Sequence, residues 1–516
     1  MRMIGVTLTL TGLLTLQAAT AATPPTPPTP AEFARYADTL LADAYPAEAP
    51  GGAVLVMRGD EVLYRGARGK ADLATGVPLD PCDRFRIASV TKQFSAAGLL
   101  TLVDAGKVSL DDPLSKYLPT YPGGERITIE QLLNHTSGVK DYTSIPGTFD
   151  GPIRRHVTTA QLVDYFKNEA PDFAPGEGWM YNNSGYVLVG AVIEAASGQP
   201  WHRYLDQAFF KPLGMNDTGY GADPAVIERQ VKGYIMYGGA PAPPPQLSMT
   251  QPHAAGALVS TVDDLARWNR GLHEGHVLKP ATYARMITPV GQAEPNDYGY
   301  GIWTSTVRGA PALQHDGGIP GFTSYLVYVP GADVTVAVLQ NSERPPSAHS
   351  PSTVARRLAA AALGDPYPPV KPVVVDVAVL KQYEGVYRVD QDATRTLRVV
   401  GGTLTAQRTL GMRSELTAIA VDTFVYPTDF TRLQVLRNAT GDVTAMRFWA
   451  DGEGEGVVAP LTDLAVPIDI KLPRDAIGRL ANKYLVPALL ISAAIAMFYA
   501  AKLWRRRKRL PSRSGA

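Results

Sequence analysis

Ser89-Val90-Thr91-Lys92-Gln93-Phe94-Ser95-Ala96-Ala97-Gly98-Leu99-Leu100-Thr101-Leu102-Val103 is the stretch on which the reading of this chain turns. Phe94, Ala97, Leu99, Leu100, Leu102 and Val103 recur at helical spacing up to Gly106, so Ser89 is predicted to open a buried helix. Lys92, three positions on, then falls one turn away on the same face. The backbone dipole at a helix N-terminus favours negative charge developing on the serine oxygen. A lysine held in a dry site gives up its proton more readily and can accept that of the hydroxyl. The pattern therefore predicts a serine nucleophile with an amine as its base. Ser-x-x-Lys is too short to be diagnostic by itself, and Ser137-Gly138-Val139-Lys140 matches it as well. Ser137 is followed at once by Gly138 and by no apolar period, which makes it a loop.

Two further segments could complete such a site. Tyr181-Asn182-Asn183 lies between Phe173-Ala174-Pro175-Gly176-Glu177 and the amphipathic run 186–193, hence in a loop able to face a cleft. A phenol near a cationic lysine can lose or relay a proton, and an amide can hold a substrate carbonyl. His315-Asp316-Gly317-Gly318 precedes a hairpin. Glycines there let a substrate backbone approach, and a strand-edge amide could complete an oxyanion hole with the Ser89 amide. Taken singly, each segment reads better as an ordinary turn.

Outward from these motifs, residues 31–45 have helical spacing, and 53–57 and 61–67 are strand-like runs around Arg58-Gly59-Asp60. A second hairpin, 323–329 and 334–339 around Pro330-Gly331, precedes a helical run at 353–363. Strands at both ends with helices between predict one α/β (α+β) unit, residues 31–363, whose sheet is closed by both ends of the region. Its length is large for one core, which an inserted helical subdomain would resolve. Residues 364–379, rich in proline, read as a linker. Residues 380–458 alternate short apolar runs with Gly and Asn turns and predict a small antiparallel β-domain, barrel or sandwich; 459–483 read as a stalk.

The 516 residues carry 49 Lys plus Arg against 48 Asp plus Glu, so no basic field covers the chain and nucleic acid is not expected as a partner. One cysteine, Cys82, excludes an internal disulfide and a zinc ribbon, and is expected to be a small packed side chain. Residues 1–21, with Arg2, an apolar run and Ala19-Thr20-Ala21, read as a signal peptide or, if uncleaved, an anchor. Residues 22–30 form a Pro-rich spacer. Residues 484–501 contain no charge and lie between Lys483 and Lys502. They would make a helix of about 27 Å, enough to span a bilayer core, the alternative being a buried core helix. The basic tail 502–516, with Arg505 to Arg509, is expected to stay cytoplasmic.

The three motifs, in this order and separation, resemble the serine β-lactamase and DD-peptidase superfamily, in its class C β-lactamase-like branch. The likeness extends to Leu132-Leu133-Asn134-His135-Thr136-Ser137-Gly138, Pro175-Gly176-Glu177, Lys211-Pro212-Leu213-Gly214-Met215 and Gly321-Phe322. It implies an antiparallel sheet flanked by helices plus an all-helical subdomain, and a lipocalin-like module at 380–458. By the same likeness Ser89 would be the acylated nucleophile, Lys92 its base partner and Tyr181 the general acid/base. Asn183 would contact substrate. His315 would replace the lysine of the family's Lys-Thr-Gly triplet, with Gly317 on the same strand and the Gly318 amide in the oxyanion hole.

Two departures bear on substrate. His315 has a reference pKa near 6.5 and would be largely neutral at pH 7, and Asp316 places a carboxylate beside it. Both weaken the grip on a substrate carboxylate, so an esterase or a peptidase acting on a neutral or cationic end fits at least as well as a β-lactamase. His273-Glu274-Gly275-His276 is one residue short of a zinc-protease motif, and no metal or organic cofactor is implied. The expectation is a single-pass serine hydrolase of the bacterial cytoplasmic membrane with its catalytic domain outside. Its substrate would be a small-molecule or peptidoglycan-derived peptide, amide, ester or β-lactam. The alternative is a non-catalytic envelope receptor for peptidoglycan fragments or β-lactams.

Overall fold

The computed structural model describes residues 27–237, 240–343, 350–390, 393–409, 413–426, 430–450, 452 and 454–466. The signal segment 1–21, most of the stalk, the apolar run 484–501 and the tail 502–516 lie outside the described residues. Among the described residues no helix is long and apolar enough to cross a membrane.

Helix α1 (Pro30–Ala44) starts on a capping box in which Thr29 and Glu32 satisfy each other's backbone. Strands β1 (Gly52–Arg58) and β2 (Glu61–Arg68) follow, then helices α2 (Thr91–Asp104), α3 (Asn183–Ser197) and α4 (Val262–His273). Strands β3 (Trp303–Val307), β4 (Ala310–Ile319), β5 (Phe322–Val329) and β6 (Val334–Gln340) and helix α5 (Pro351–Ala362) complete the region. The sheet order is β3-β4-β5-β6-β1-β2, antiparallel throughout. Ala53 pairs with Leu339, so the first and last parts of the region close one sheet, as the hairpin placement predicts.

Side chains alternate across that sheet with the period of two that a pleat imposes. Val54, Val56, Val336 and Val338 pack with Phe33, Leu41, Val354 and Leu358 on the face covered by α1 and α5. Ala53, Leu55, Ala337 and Leu339 face the other way and join Phe94, Leu99, Leu188 and Trp268 from α2, α3 and α4. Helix α2 buries eleven of its fourteen residues, the polar Thr91, Lys92, Gln93 and Ser95 of its first turns among them. Its N-terminus is thus fixed from all sides.

The inserted region is not all-helical. Phe85–Arg86, Leu258–Ser260 and Gly219–Tyr220 form a three-stranded sheet, and short two- and three-stranded pairings occur elsewhere. The physical need is local, because the backbone just before Ser89 hydrogen-bonds to Leu258 as a strand partner. Cys82 also departs from expectation. It is exposed, in a turn where the Asp80 and Asp83 carboxylates accept from backbone amides, with its Sγ 3.0 Å from Arg65.

Beyond the linker the chain is β-structured, in a four-stranded sheet formed by Gly385–Arg388, Thr394–Val400, Thr403–Arg408 and Arg413–Glu415 and a five-stranded sheet running from Thr417–Ala420 to Val457–Pro460. Over the described residues the chain divides into two compact units. One comprises the described residues from 27 to 375 with those of 415–436 and 446–458; the other comprises the described residues of 376–414, 437–445 and 459–466. Leu358→Ala in α5 is expected to lower unfolding free energy by about 2–5 kcal/mol, whereas Val374→Ser, at a fully exposed position, should change it by less than about 0.5. Urea titration of both variants checks this.

Candidate active site

Ser89 lies half-buried in a 3₁₀ turn, Ala88–Val90, that runs directly into α2. Three contacts hold the turn. The Ile87 amide donates to the Leu258 carbonyl at 3.1 Å, the Ser324 hydroxyl donates to the Ile87 carbonyl at 2.8 Å, and the Leu258 amide donates to Thr91 Oγ1 at 3.1 Å. They fix Ala88 at φ 46°, a left-handed conformation that costs a residue with a Cβ about 1–2 kcal/mol. Strain at the residue before the serine is thus supported from two strands.

Lys92, fully buried on the first turn of α2, brings its ammonium to three acceptors: Ser89 Oγ at 3.2 Å, Asn183 Oδ1 at 2.9 Å and the Ala255 carbonyl at 2.9 Å. Burial drives its pKa from 10.5 down to about 7, against the pull of the Asp141 and Asp316 carboxylates. Once deprotonated, the amine has two N–H groups and a lone pair. Asn183 and Ala255 take the two N–H groups, which leaves the lone pair for the Ser89 hydroxyl. The arrangement is that of an amine base poised on a serine.

Tyr181 completes the contact. Burial pushes its phenol well above its ordinary pKa, against a smaller opposing effect of the nearby Ser89 side chain, so it stays protonated. The ring stands 4.7 Å from Lys92 Nζ and packs on His135, with centroids 4.5 Å apart, and on Trp303 at 6.5 Å. Asn182 caps α3 by accepting from the Gly185 amide at 2.8 Å, and Asn183 is the first helical residue. The helix cap therefore sets where Tyr181 and Asn183 point.

On β4 the alternation puts His315 and Gly317 on the inner face and Asp316 and Gly318 outward. His315 Nδ1 lies 2.6 Å from the Asp316 carbonyl, which can only accept, so Nδ1 carries the proton. Its Nε2 is then free to accept from the Tyr298 hydroxyl at 3.3 Å. Burial pushes His315 down to about 4, hence neutral at pH 7. The Asp316 side chain is 69% exposed, with its carboxylate 4.0 Å from His315 Nδ1. A Cβ on Gly317 would stand 2.3 Å from the Ile87 carbonyl oxygen and 2.2 Å from Ser324 Oγ, so only glycine lets β4 approach the serine turn. A Cβ on Gly318 would meet nothing within 4 Å.

Ser89, Asn183 and Gly318 line one cavity of about 240 Å³, with Phe149, Ile153, Leu247 and Ile319 forming apolar wall and, among the described residues, no basic side chain on its surface. The structure thus brings Ser89, Lys92, Tyr181, Asn183, His315, Gly317 and Gly318 to one place. Ser137 and Lys140 line a different cavity, and Lys140 pairs with Asp172 at 2.7 Å. His273 bonds Tyr283 at 2.6 Å while His276 pairs with Glu274; among the described residues no acidic, histidine or cysteine cluster could hold a metal. Sequence reasoning missed the Ala255 carbonyl, Asp141, Tyr298 and His135. Only His135 left a signal, in the phrase 132–138.

The family model described as Beta-lactamase matches residues 35–361. The chain belongs to the serine β-lactamase/DD-peptidase superfamily. It is 29% identical over 368 residues to penicillin-binding protein 4* of Bacillus subtilis (strain 168), covering 66% of this chain and 80% of that one. It is 26% identical over 354 residues to a D-aminopeptidase of Gluconobacter oxydans (strain 621H), covering 66% of this chain and 64% of that one. Among solved structures, D-amino acid amidase from Ochrobactrum anthropi SV3, complexed with L-phenylalanine, superimposes with a TM-score of 0.55 at 26% identity. That match covers 64% of this chain and 97% of the other.

The two glycines should separate in effect. Gly317→Ala is expected to displace the serine turn and slow acylation by more than about 100-fold, the scale of a 1 Å misplacement. Gly318→Ala should leave unfolding free energy within about 0.5 kcal/mol of wild type. Phosphonate labelling rates and urea titration read the two effects.

Proposed function

We propose that this chain hydrolyses amides or esters through an acyl-enzyme on Ser89. The observation that carries the proposal is Lys92 Nζ at 3.2 Å from Ser89 Oγ, with both of its remaining N–H groups engaged once neutral. Ser89 Oγ attacks the carbonyl carbon as its proton passes to Lys92, and the amides of Ser89 and Gly318 receive the oxyanion. As the intermediate collapses, the leaving group takes a proton from Tyr181, which the Lys92 ammonium replaces. Water then attacks the ester along the reverse proton path and frees Ser89.

For substrate we infer an acyl part with an apolar substituent and no carboxylate to anchor. The apolar wall of the cavity, the neutral His315 and the lack of a basic lining residue support this reading. The relatives named D-aminopeptidase and D-amino acid amidase agree with a peptidase or amidase more than with an efficient β-lactamase. We also propose 31–363 as the catalytic domain, exported by 1–21 and tethered outside the cytoplasmic membrane by 484–501. The charge-free length of that run and the basic residues after it support the tether.

A fluorescent phosphonate should label the wild type and not Ser89→Ala; an unlabelled wild type would favour the receptor reading instead. kcat/KM on a neutral ester should rise with pH and reach half its plateau near the Lys92 value of about 7. The sign follows from the base having to be deprotonated to act, and His315, at about 4, stays neutral across that range. A pH profile flat from 6 to 8 (roughly one unit on either side, where a single ionisation must show) would contradict a lysine base. Asp316→Thr should raise the ratio of activity on carboxylate-bearing over neutral esters, which a two-substrate assay measures.

A further inference from the structure

Away from the active site, a cavity of about 510 Å³ opens between the end of α5, the residues that follow it and the strands at 417–432. It is roughly twice the size of the cavity at Ser89 and within the range of small-molecule sites. Four cations line it: Arg308, Arg357, Lys371 and Arg432. Among the described residues only Arg308 is matched, by a two-pronged pair with Asp365 at 2.9 and 3.0 Å. Among the described residues no carboxylate pairs with Arg357, Lys371 or Arg432, and no acidic side chain lines the cavity.

The rest of the wall is two aromatic rings together with proline and aliphatic side chains. Tyr367 and Phe430 pack with centroids 4.2 Å apart. The Arg308 guanidinium lies 5.1 Å from the Tyr367 centroid and that of Arg357 lies 5.4 Å from Phe430. Arg432 stacks at 3.9 Å on Trp449. Stacking fixes the guanidinium planes but neutralises no charge. The Nε atoms of Arg357 and Arg432 are buried without a hydrogen-bond partner. Three cations that no described carboxylate pairs, set around a concave, partly apolar space, focus a positive potential into it. Their mutual repulsion is relieved by an oxyanion that the guanidinium forks can grip.

We propose that this cavity is a binding site for a small organic dianion with a flat apolar body, the oxyanion being a phosphate or a pair of carboxylates. The charges meet Arg357, Lys371 and Arg432, and the apolar body rests on Tyr367 and Phe430. The site involves none of the residues placed around Ser89, so it stands independently of the hydrolase proposal.

Isothermal titration calorimetry on the full chain carrying Ser89→Ala, in a neutral detergent, tests it with phenyl phosphate, phthalate, inorganic phosphate and phenol. At least one of the first two should bind once per chain, at least about tenfold tighter than inorganic phosphate or phenol, because neither of those meets both wall types. The tighter of the two identifies the oxyanion. Binding should weaken as salt rises from about 50 to about 500 mM. Arg432→Gln and the exposed Lys371→Gln should each weaken it by at least about threefold with no change in melting temperature. If Arg432→Gln fails to fold, Lys371→Gln alone decides. No saturable heat up to about 10 mM ligand, equal affinity for inorganic and phenyl phosphate, or unchanged binding in Lys371→Gln would overturn the proposal.

Discussion

Everything in the catalytic region depends on one amine being kept out of water beside one hydroxyl. Taking a charged lysine out of solvent is expensive, and a protein meets that cost either by pairing the charge or by letting the proton go. Lys92 does some of each. Three neutral acceptors surround it, which would suit an ammonium, while two carboxylates act on it only through space. The outcome, a pKa of about 7, leaves charged and neutral forms close in free energy at physiological pH. A base in that condition can take a proton and return it without a large barrier in either direction.

That balance is a property of the fold as much as of the residue. α2 is buried on nearly every side, so Lys92 cannot swing out to solvent. The turn before it is held by Leu258 and by Ser324 on β5, and β4 approaches closely only because Gly317 lacks a side chain. The sheet that carries β4 and β5 is closed by β1 pairing with β6, so a contact between residues some 280 positions apart underlies the placement of the serine. Helix, turn and sheet edge each restrict a different degree of freedom of Ser89. The strained Ala88 is tolerated because all three agree.

The parts of this arrangement that obey a local period could be read from sequence. α2, the hairpin β1–β2, the hairpin β5–β6 and α5 all fall where apolar spacing and turn residues put them. Ser89 and Lys92 were legible because a helix brings i and i+3 together whatever the rest of the chain does. Tyr181, Asn183 and His315 were readable only as an ordered set of phrases, since nothing local says that a cap residue of α3 will meet α2. The Ala255 carbonyl was out of reach, because any residue offers a carbonyl and only tertiary packing chooses one. His135, at φ 64° with its Nδ1 accepting from the Asn182 amide, was equally hidden: the left-handed backbone that turns its ring toward Tyr181 has no signature in residue type. Cys82 shows the converse error, where a residue type usually buried was placed outside by the acidic turn around it.

The charges around the cleft tie the strength of the base to the choice of substrate. Asp141 is held by the Thr143 hydroxyl and by the Asn183 amide at 3.3 Å, and Asp316 stands on the outer face of β4. Both oppose the effect of burial on Lys92, and without them its pKa would sit lower and its basicity would fall with it. The same two carboxylates repel an anionic substrate end, and the neutral His315 offers no cation to offset them. An active site of this kind cannot strengthen its base through nearby acids and also welcome a carboxylate unless a second cation is supplied. Among the described residues none lines the cavity at Ser89. The proposed preference for a neutral or cationic substrate end is thus tied to the way the lysine is tuned.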